Sequence, residues 1–288
     1  MKKNKKQRPA VRVPKSIRAV VWLSRPTSNA LATKVALYLF FRPQRFKTPV
    51  REHQMRDAAE QIKFYASSIQ KEIQVYRLNG KKQKVLLLHG WSGRGTQLFS
   101  FADELQKQNC EVITFDMPAH GQSPGNKTNV LELTYCIQDI NQKFGPFDAA
   151  IAHSMGGFAL LRAIKDGLPL QSAAIIGSGD SIEGVFYRFS QQLHFSEKIT
   201  ERMITTVEKQ FGTKLETYSS SMSIKEIDIP LLIVHDKDDK EAPYECSITL
   251  HDLARNSQLK LTSGLGHHRI LRDSKTVQHI IQFLFQQS

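Results

Sequence analysis

The chain has 288 residues, enough for one large α/β domain with an insertion or an extra arm, and nothing in it suggests a repeat. Residues 1–50 hold 13 Lys and Arg and no Asp or Glu, so residues 51–288, with 27 of each sign, are neutral. This distribution disfavours a nucleic-acid-binding protein whose positive charge is spread throughout. Cys110, Cys136 and Cys246 are too widely spaced for a metal or redox motif and read as reduced thiols in a cytoplasmic setting.

Residues 1–15 form a polar, basic tail that reads as disordered. Two apolar patches follow, Ile17 to Leu23 and Ala30 to Phe41, in a stretch that carries Arg18, Arg25 and Lys34. Neither approaches the ~20 apolar residues of a membrane span. Ala19 to Leu23 is also too short for a signal peptide. Leu31, Val35, Leu37, Leu39, Phe40 and Phe41 predict a helix face edged by Lys34 and Arg42. Such a helix packs on the outside of the domain or lies on an anionic membrane surface; the first reading is preferred.

Residues 51–69 predict a helix. Glu72 to Leu78 alternates as a strand does, with Asn79-Gly80 as its hairpin turn. Lys84 to Leu88 is a continuous apolar run, the mark of a strand buried on both faces, and it ends in His89-Gly90-Trp91. Thr96 to Gln108 predicts a helix, Val112 to Asp116 a strand, and Asp116 to Gly125 a loop. Val130 to Phe144 predicts a helix stopped by Gly145-Pro146. Asp148 to His153 is a short buried strand that breaks at Ser154 and continues as a helix through Ile164.

Ser172 to Ser178 is another buried strand. Residues 180–226 then interrupt the rhythm with Phe186, Tyr187, Phe189, Leu193, Phe195, Met203, Ile204, Val207 and Phe211 at helical spacing. An apolar helical insertion here suits a cap over a site. Pro230 to Asp236, Leu259 to Thr262 and helices near Tyr244 to Ala254 and Val277 to Phe285 complete the chain. Alternating elements predict a mostly parallel sheet with helices on both faces.

Ser154 stands on a sharp strand-to-helix turn, where small residues two before and two after let the backbones approach. Gly156 meets the second demand and Ala152 the first. A serine hydroxyl needs a base, usually a histidine oriented by a carboxylate. In a parallel sheet these groups come from loops at the C-terminal strand ends. One such loop holds Asp236, Asp238 and Asp239, and another holds His267 and His268. The chain order is Ser, Asp, His.

Four stations together resemble the α/β-hydrolase superfamily over residues 70–288: His89-Gly90-Trp91, Asp116 to Ser123, Ala152 to Gly157, and Asp239 to Pro243 with Gly266-His267. The resemblance implies an α/β-hydrolase fold with a helical cap insertion at about 180–226 in a 51–288 domain. A basic N-terminal arm over 1–50, partly disordered or an amphipathic helix, precedes it. It implies Ser154 as nucleophile, His267 as general base and acid, and Asp239 as its orienting acid, four residues before Pro243. Asp238 is the second choice, and Asp236 either caps the loop or faces solvent. The backbones of Trp91 and Met155 are implied as the oxyanion site. Asp116 and His120 are implied to hold a loop, and His153 to neighbour the turn without acting as a base.

The expected function is a serine hydrolase cleaving a carboxylic ester or thioester of a small or acyl-chain substrate, with amide cleavage open. No metal and no cofactor are expected. The expected location is cytoplasmic, with peripheral contact to an anionic membrane through residues 1–50 as one option. A non-catalytic scaffold docking a membrane or acidic partner through the arm is the alternative, and nucleic-acid binding ranks last.

Overall fold

A computed structural model describes residues 28–286; the readings for residues 1–15 and Ile17 to Leu23 lie outside the described residues. The sheet is built from β1 (Glu60–Ala66), β2 (Lys71–Leu78), β3 (Lys84–Leu88), β4 (Glu111–Asp116), β5 (Ala149–His153), β6 (Ser172–Ile176), β7 (Leu231–Asp236) and β8 (Ser257–Thr262). Their order is β1-β2-β4-β3-β5-β6-β7-β8. The β1–β2 and β2–β4 pairs are antiparallel and the others parallel.

The apolar runs are continuous because both sheet faces are covered. Leu86, Leu88, Ala150 and Ala152 share a core with Leu133 and Ile137 of α4 (Val130–Phe144) and Ala159 and Leu160 of α5 (Met155–Lys165). Val85, Leu87, Ala149 and Ile151 point the other way. They join Phe101 and Leu105 of α3 (Phe99–Lys107) and Ile280 and Leu284 of α11 (Ser274–Phe285). Each fully buried leucine contributes about 1.5–3 kcal/mol.

Two expectations are corrected. Residues 51–69 are not one helix: a short helix α2 (His53–Ala58) gives way to β1. Ile62, Phe64 and Ala66 alternate inward there, a period-2 signal hidden among polar residues at the sheet edge. Asn79-Gly80 is not a hairpin turn, because β2 pairs with β1 and β4, whereas β3 lies between β4 and β5. The hairpin forms earlier, at 67–70, where Gln70 takes a φ of 53°. Gly80 serves a close approach instead: a Cβ there would run into the Cys110 backbone.

A third core lies off the sheet. Helix α1 (Asn29–Phe40) packs Ala32 and Ala36 against α6 (Ile182–Leu193) and α7 (Glu197–Phe211), with Phe186, Met203 and Val207. The Phe40 ring stacks on Phe186 with centroids 4.1 Å apart. Short turns and helix α8 (Ser220–Ser223) return the chain to β7, and α9 (Glu245–Leu253) joins β7 to β8. Among the described residues, no helix is long and apolar enough to cross a membrane.

Candidate active site

The loops after β3, β5, β6, β7 and β8 meet at the C-terminal edge of the sheet, beside a cavity of about 850 Å³. Ser154, Met155, Trp91 and His267 all line it. Ser154 joins β5 to α5 with φ 53° and ψ −119°, a backbone conformation costly for a side chain other than glycine. Three bonds hold the turn: Ser154 N–H donates to the Ile176 carbonyl at 2.8 Å, Gly157 N–H to the Ser154 carbonyl at 2.9 Å, and Ser178 Oγ to that same carbonyl at 3.2 Å. The glycine at 156 is demanded by space, since a Cβ would lie 2.6 Å from the His89 carbonyl oxygen.

His267 is the second residue of the short helix α10 (Gly266–Arg269) and is buried. Its Nδ1 lies 2.6 Å from Asp239 Oδ2. Asp239 Oδ1 accepts the backbone N–H groups of Glu241 at 2.8 Å and Ala242 at 3.0 Å. A further partner escaped the sequence reading: His235 Nε2 lies 3.2 Å from Asp239 Oδ2, while its Nδ1 sits 2.6 Å from Ser247 Oγ. Burial pushes the Asp239 carboxyl upward, but the bonds from His235 and His267 outweigh it and hold the group well below its ordinary value. Asp239 is therefore a carboxylate whose every hydrogen-bond partner is a donor.

The other acids of this loop have different partners. Asp238 is exposed and accepts the Gly264 N–H at 2.7 Å. Asp236 is buried and caps the histidine loop. Its oxygens accept the N–H groups of Asp238, Leu265 and Gly266 and the Thr262 hydroxyl. Burial raises its carboxyl, yet these bonds bring it below the usual value. A group with a lowered folded pKa adds stability above the unfolded value of about 3.9, and that stability is lost as pH falls through the folded pKa. Asp236→Ala leaves four donors without this acceptor and is expected to cost about 3 kcal/mol. Thermal unfolding at pH 7 checks this, and the gap to wild type should narrow below pH 4.

His268 points away from Asp239. It is half-exposed, and its Nε2 lies 3.0 Å from Glu241 Oε1, whose carboxylate raises the His268 pKa. Glu241, also missed in the sequence, brings its Oε2 to 3.8 Å from His267 Nε2. His153 is fully buried and its Nε2 lies 3.0 Å from the His267 carbonyl, so Nε2 carries the proton and steadies the His267 backbone. Burial, with the neighbouring His267 and His268, holds His153 far below the ordinary histidine value.

The loop of Trp91 is braced in the same way. His89 Nε2 accepts the Met117 N–H at 3.0 Å, so its Nδ1 carries the proton and donates to the Gly90 carbonyl at 2.7 Å. Asp116 accepts from Gly95 N–H, Gln122 N–H and Tyr76 OH, tying the loops after β3 and β4 together. His120 packs against Trp91, with burial pushing its pKa down to about 4. Among the described residues, the backbone N–H groups of Trp91 and Met155 donate to no protein acceptor. Both residues line the cavity, and Met155 starts α5, where the helix dipole favours negative charge.

Residues 41–52 form one wall of the cavity, which periodicity alone does not reveal. Gln44 N–H donates to Ser92 Oγ at 2.9 Å, and Arg45 donates to the carbonyls of Ala119, Ser123 and Gly125. Buried Glu52 accepts from Arg94 at 2.7 Å and Thr96 at 2.9 Å. Among the described residues, no three His, Cys, Asp or Glu side chains converge as a metal site.

The profile of the serine aminopeptidase family S33 matches residues 79–222, half of the chain. A curated relative, the lysophosphatidylserine lipase ABHD12 of Danio rerio, is 25% identical over 253 residues; the match covers 80% of this chain and 62% of the relative. The chain thus spans less than two thirds of that relative's length. A putative lipase from Acinetobacter baumannii superposes with a TM-score of 0.63 at 19% identity, covering 84% of this chain and 97% of its own. An esterase from Exiguobacterium antarcticum gives 0.61 at 16% identity, covering 77% and 98%. The sheet order, the strand-to-helix turn and the family match lead to one assignment: the chain belongs to the α/β-hydrolase superfamily, within the serine aminopeptidase S33 family.

Proposed function

We propose that the protein is a serine hydrolase that cleaves carboxylic esters or thioesters of acyl-chain substrates. The observation that carries this is the buried Asp239–His267 pair at 2.6 Å on the same cavity as the strained Ser154. The Asp239 carboxylate keeps the proton of His267 on Nδ1, so Nε2 is free to accept one. Ser154 Oγ attacks the substrate carbonyl as its proton passes to His267 Nε2. The oxyanion accepts hydrogen bonds from the backbone N–H groups of Trp91 and Met155. Collapse expels the alcohol or thiol, which takes the proton from Nε2. Water, deprotonated by the same nitrogen, then attacks the acyl-enzyme and releases the acid and Ser154.

The cavity favours an acyl chain. Phe40, Phe158, Phe186, Phe189, Leu193 and Val207 from three parts of the chain line it. In this reading α6 and α7 are the cap. The test is a series of p-nitrophenyl esters of rising acyl length. The expected result is a kcat/KM that climbs with chain length, by up to about tenfold for each 1.4 kcal/mol of added burial. A flat or falling profile speaks against an acyl site.

A specific observation also supports contact with an anionic membrane. Tyr38, Phe46 and Val50 are 59%, 60% and 81% exposed, and residues 28–51 contain no acid. Apolar tips among cations suit an anionic interface. Replacing Phe46 and Val50 by serine is expected to reduce co-sedimentation with phosphatidylcholine–phosphatidylserine vesicles severalfold. Equal sedimentation removes the idea.

A further inference from the structure

The cavity wall carries more positive charge than its own carboxylates balance. Five arginines line it (Arg42, Arg51, Arg94, Arg188 and Arg272) beside two glutamates, Glu52 and Glu241. Glu52 is engaged by Arg94 at 2.7 Å and Glu241 by His268 at 3.0 Å. Arg42 lies over the Tyr38 ring at 4.0 Å. Among the described residues Arg272 also has no carboxylate within 4.0 Å, but it is exposed; Arg188 differs from the others in joining partial burial to the lack of any partner. It sits on α6, half-buried, facing the apolar cavity, and among the described residues no carboxylate lies within 4.0 Å of its guanidinium and no hydrogen-bond acceptor holds it. Asp180, the nearest acid along the β6–α6 loop, stays outside that distance.

The local sequence makes room for this group. A Cβ at Gly179 would lie 3.1 Å from Arg188 Nη2 and 3.0 Å from the Phe158 ring. One at Gly184 would lie 3.1 Å from Nη1. Two glycines thus seat a guanidinium against bare backbone. The same loop reaches the reacting groups: a Cβ at Gly177 would lie 3.3 Å from His267 Nδ1 and 3.4 Å from Asp239 Oδ2. Arg188 therefore stands at the far end of the loop that passes the Asp239–His267 pair. Holding a cation without a counter-charge in an apolar wall is costly, and an anion in the cavity removes that cost. A guanidinium fork fits a carboxylate or phosphate through two parallel bonds.

The geometry points to Arg188 as the anchor for an anionic group of the substrate, so that the cavity selects acyl compounds bearing a carboxylate or phosphate over neutral ones. This names the substrate class within the reading of the site given above. The test measures binding, not turnover, so the two can fail separately. Full-length protein carrying Ser154→Ala is titrated with decanoate, decyl phosphate and decanol by calorimetry. At least one anion is expected to bind tenfold or more tightly than decanol, and Arg188→Met in the same background is expected to erase that preference. Arg188→Lys should restore part of it. Tighter decanoate assigns a carboxylate on the acyl side, and tighter decyl phosphate assigns a phosphate headgroup. Equal affinity for all three compounds, or an equal loss for all three in both Arg188→Met and Arg188→Gln, overturns the proposal.

Discussion

Ser154→Ala is expected to lower kcat by roughly 10⁵–10⁶-fold while leaving the fold intact. The hydroxyl makes no hydrogen bond that the turn depends on; the turn is held by the backbone of Ser154 and by Ser178. The strain at φ 53° belongs to any residue with a Cβ, so alanine inherits it unchanged. Glycine does not. Ser154→Gly is therefore expected to be as inactive as the alanine variant and more stable, by about 1 kcal/mol, as thermal unfolding would register. A Ser154→Ala enzyme within tenfold of wild type would place the nucleophile elsewhere.

Asp239→Asn is expected to lower kcat by about 10⁴-fold, through a tautomer and not through loss of structure. Both carboxylate oxygens face donors: backbone N–H groups from Glu241 and Ala242 on Oδ1, and imidazole groups from His235 and His267 on Oδ2. An asparagine has only one oxygen to offer. The backbone donors cannot change, so its oxygen stays with them and its NH₂ turns to the imidazoles. His267 then accepts at Nδ1 and carries its proton on Nε2, where it cannot take the serine proton. The pH-independent plateau of kcat reads this loss directly, with circular dichroism as the check on folding. A fall smaller than tenfold would hand the orienting role to Glu241 or Asp238.

Much of this site can be read along the chain because its groups lie on loops that close apolar strands. Ser154 and Asp239 each follow a continuous apolar run that announces burial, His267 follows the edge strand β8 with its alternating leucines, and their order and spacing carry the resemblance that assigns them. The pairing itself favours Asp239 over Asp238, since Asp238 turns outward to Gly264. What stays hidden is long-range. Glu52 meets Arg94 across 42 residues and Arg45 meets Gly125 across 80, and no periodicity encodes such contacts. His235 reads as the end of a buried strand until the fold sets it beside Asp239. The edge strand β1 is hidden for another reason: one face is wet, so its alternation is diluted by Glu60, Gln61, Lys63 and Tyr65. Asn79-Gly80 misleads because turn chemistry fixes a local bend and not the partner of the strand before it.

In the proposed reading Ser154 is an activated nucleophile within this cavity. The most direct measurement is reaction of the purified full-length protein with a fluorophosphonate, followed by mass spectrometry of the adduct. A single adduct on Ser154, absent from Ser154→Ala and strongly slowed in Asp239→Asn, is the predicted result. A folded protein that takes up no probe, or takes it up at another residue, contradicts the account and moves a non-catalytic scaffold ahead of the hydrolase.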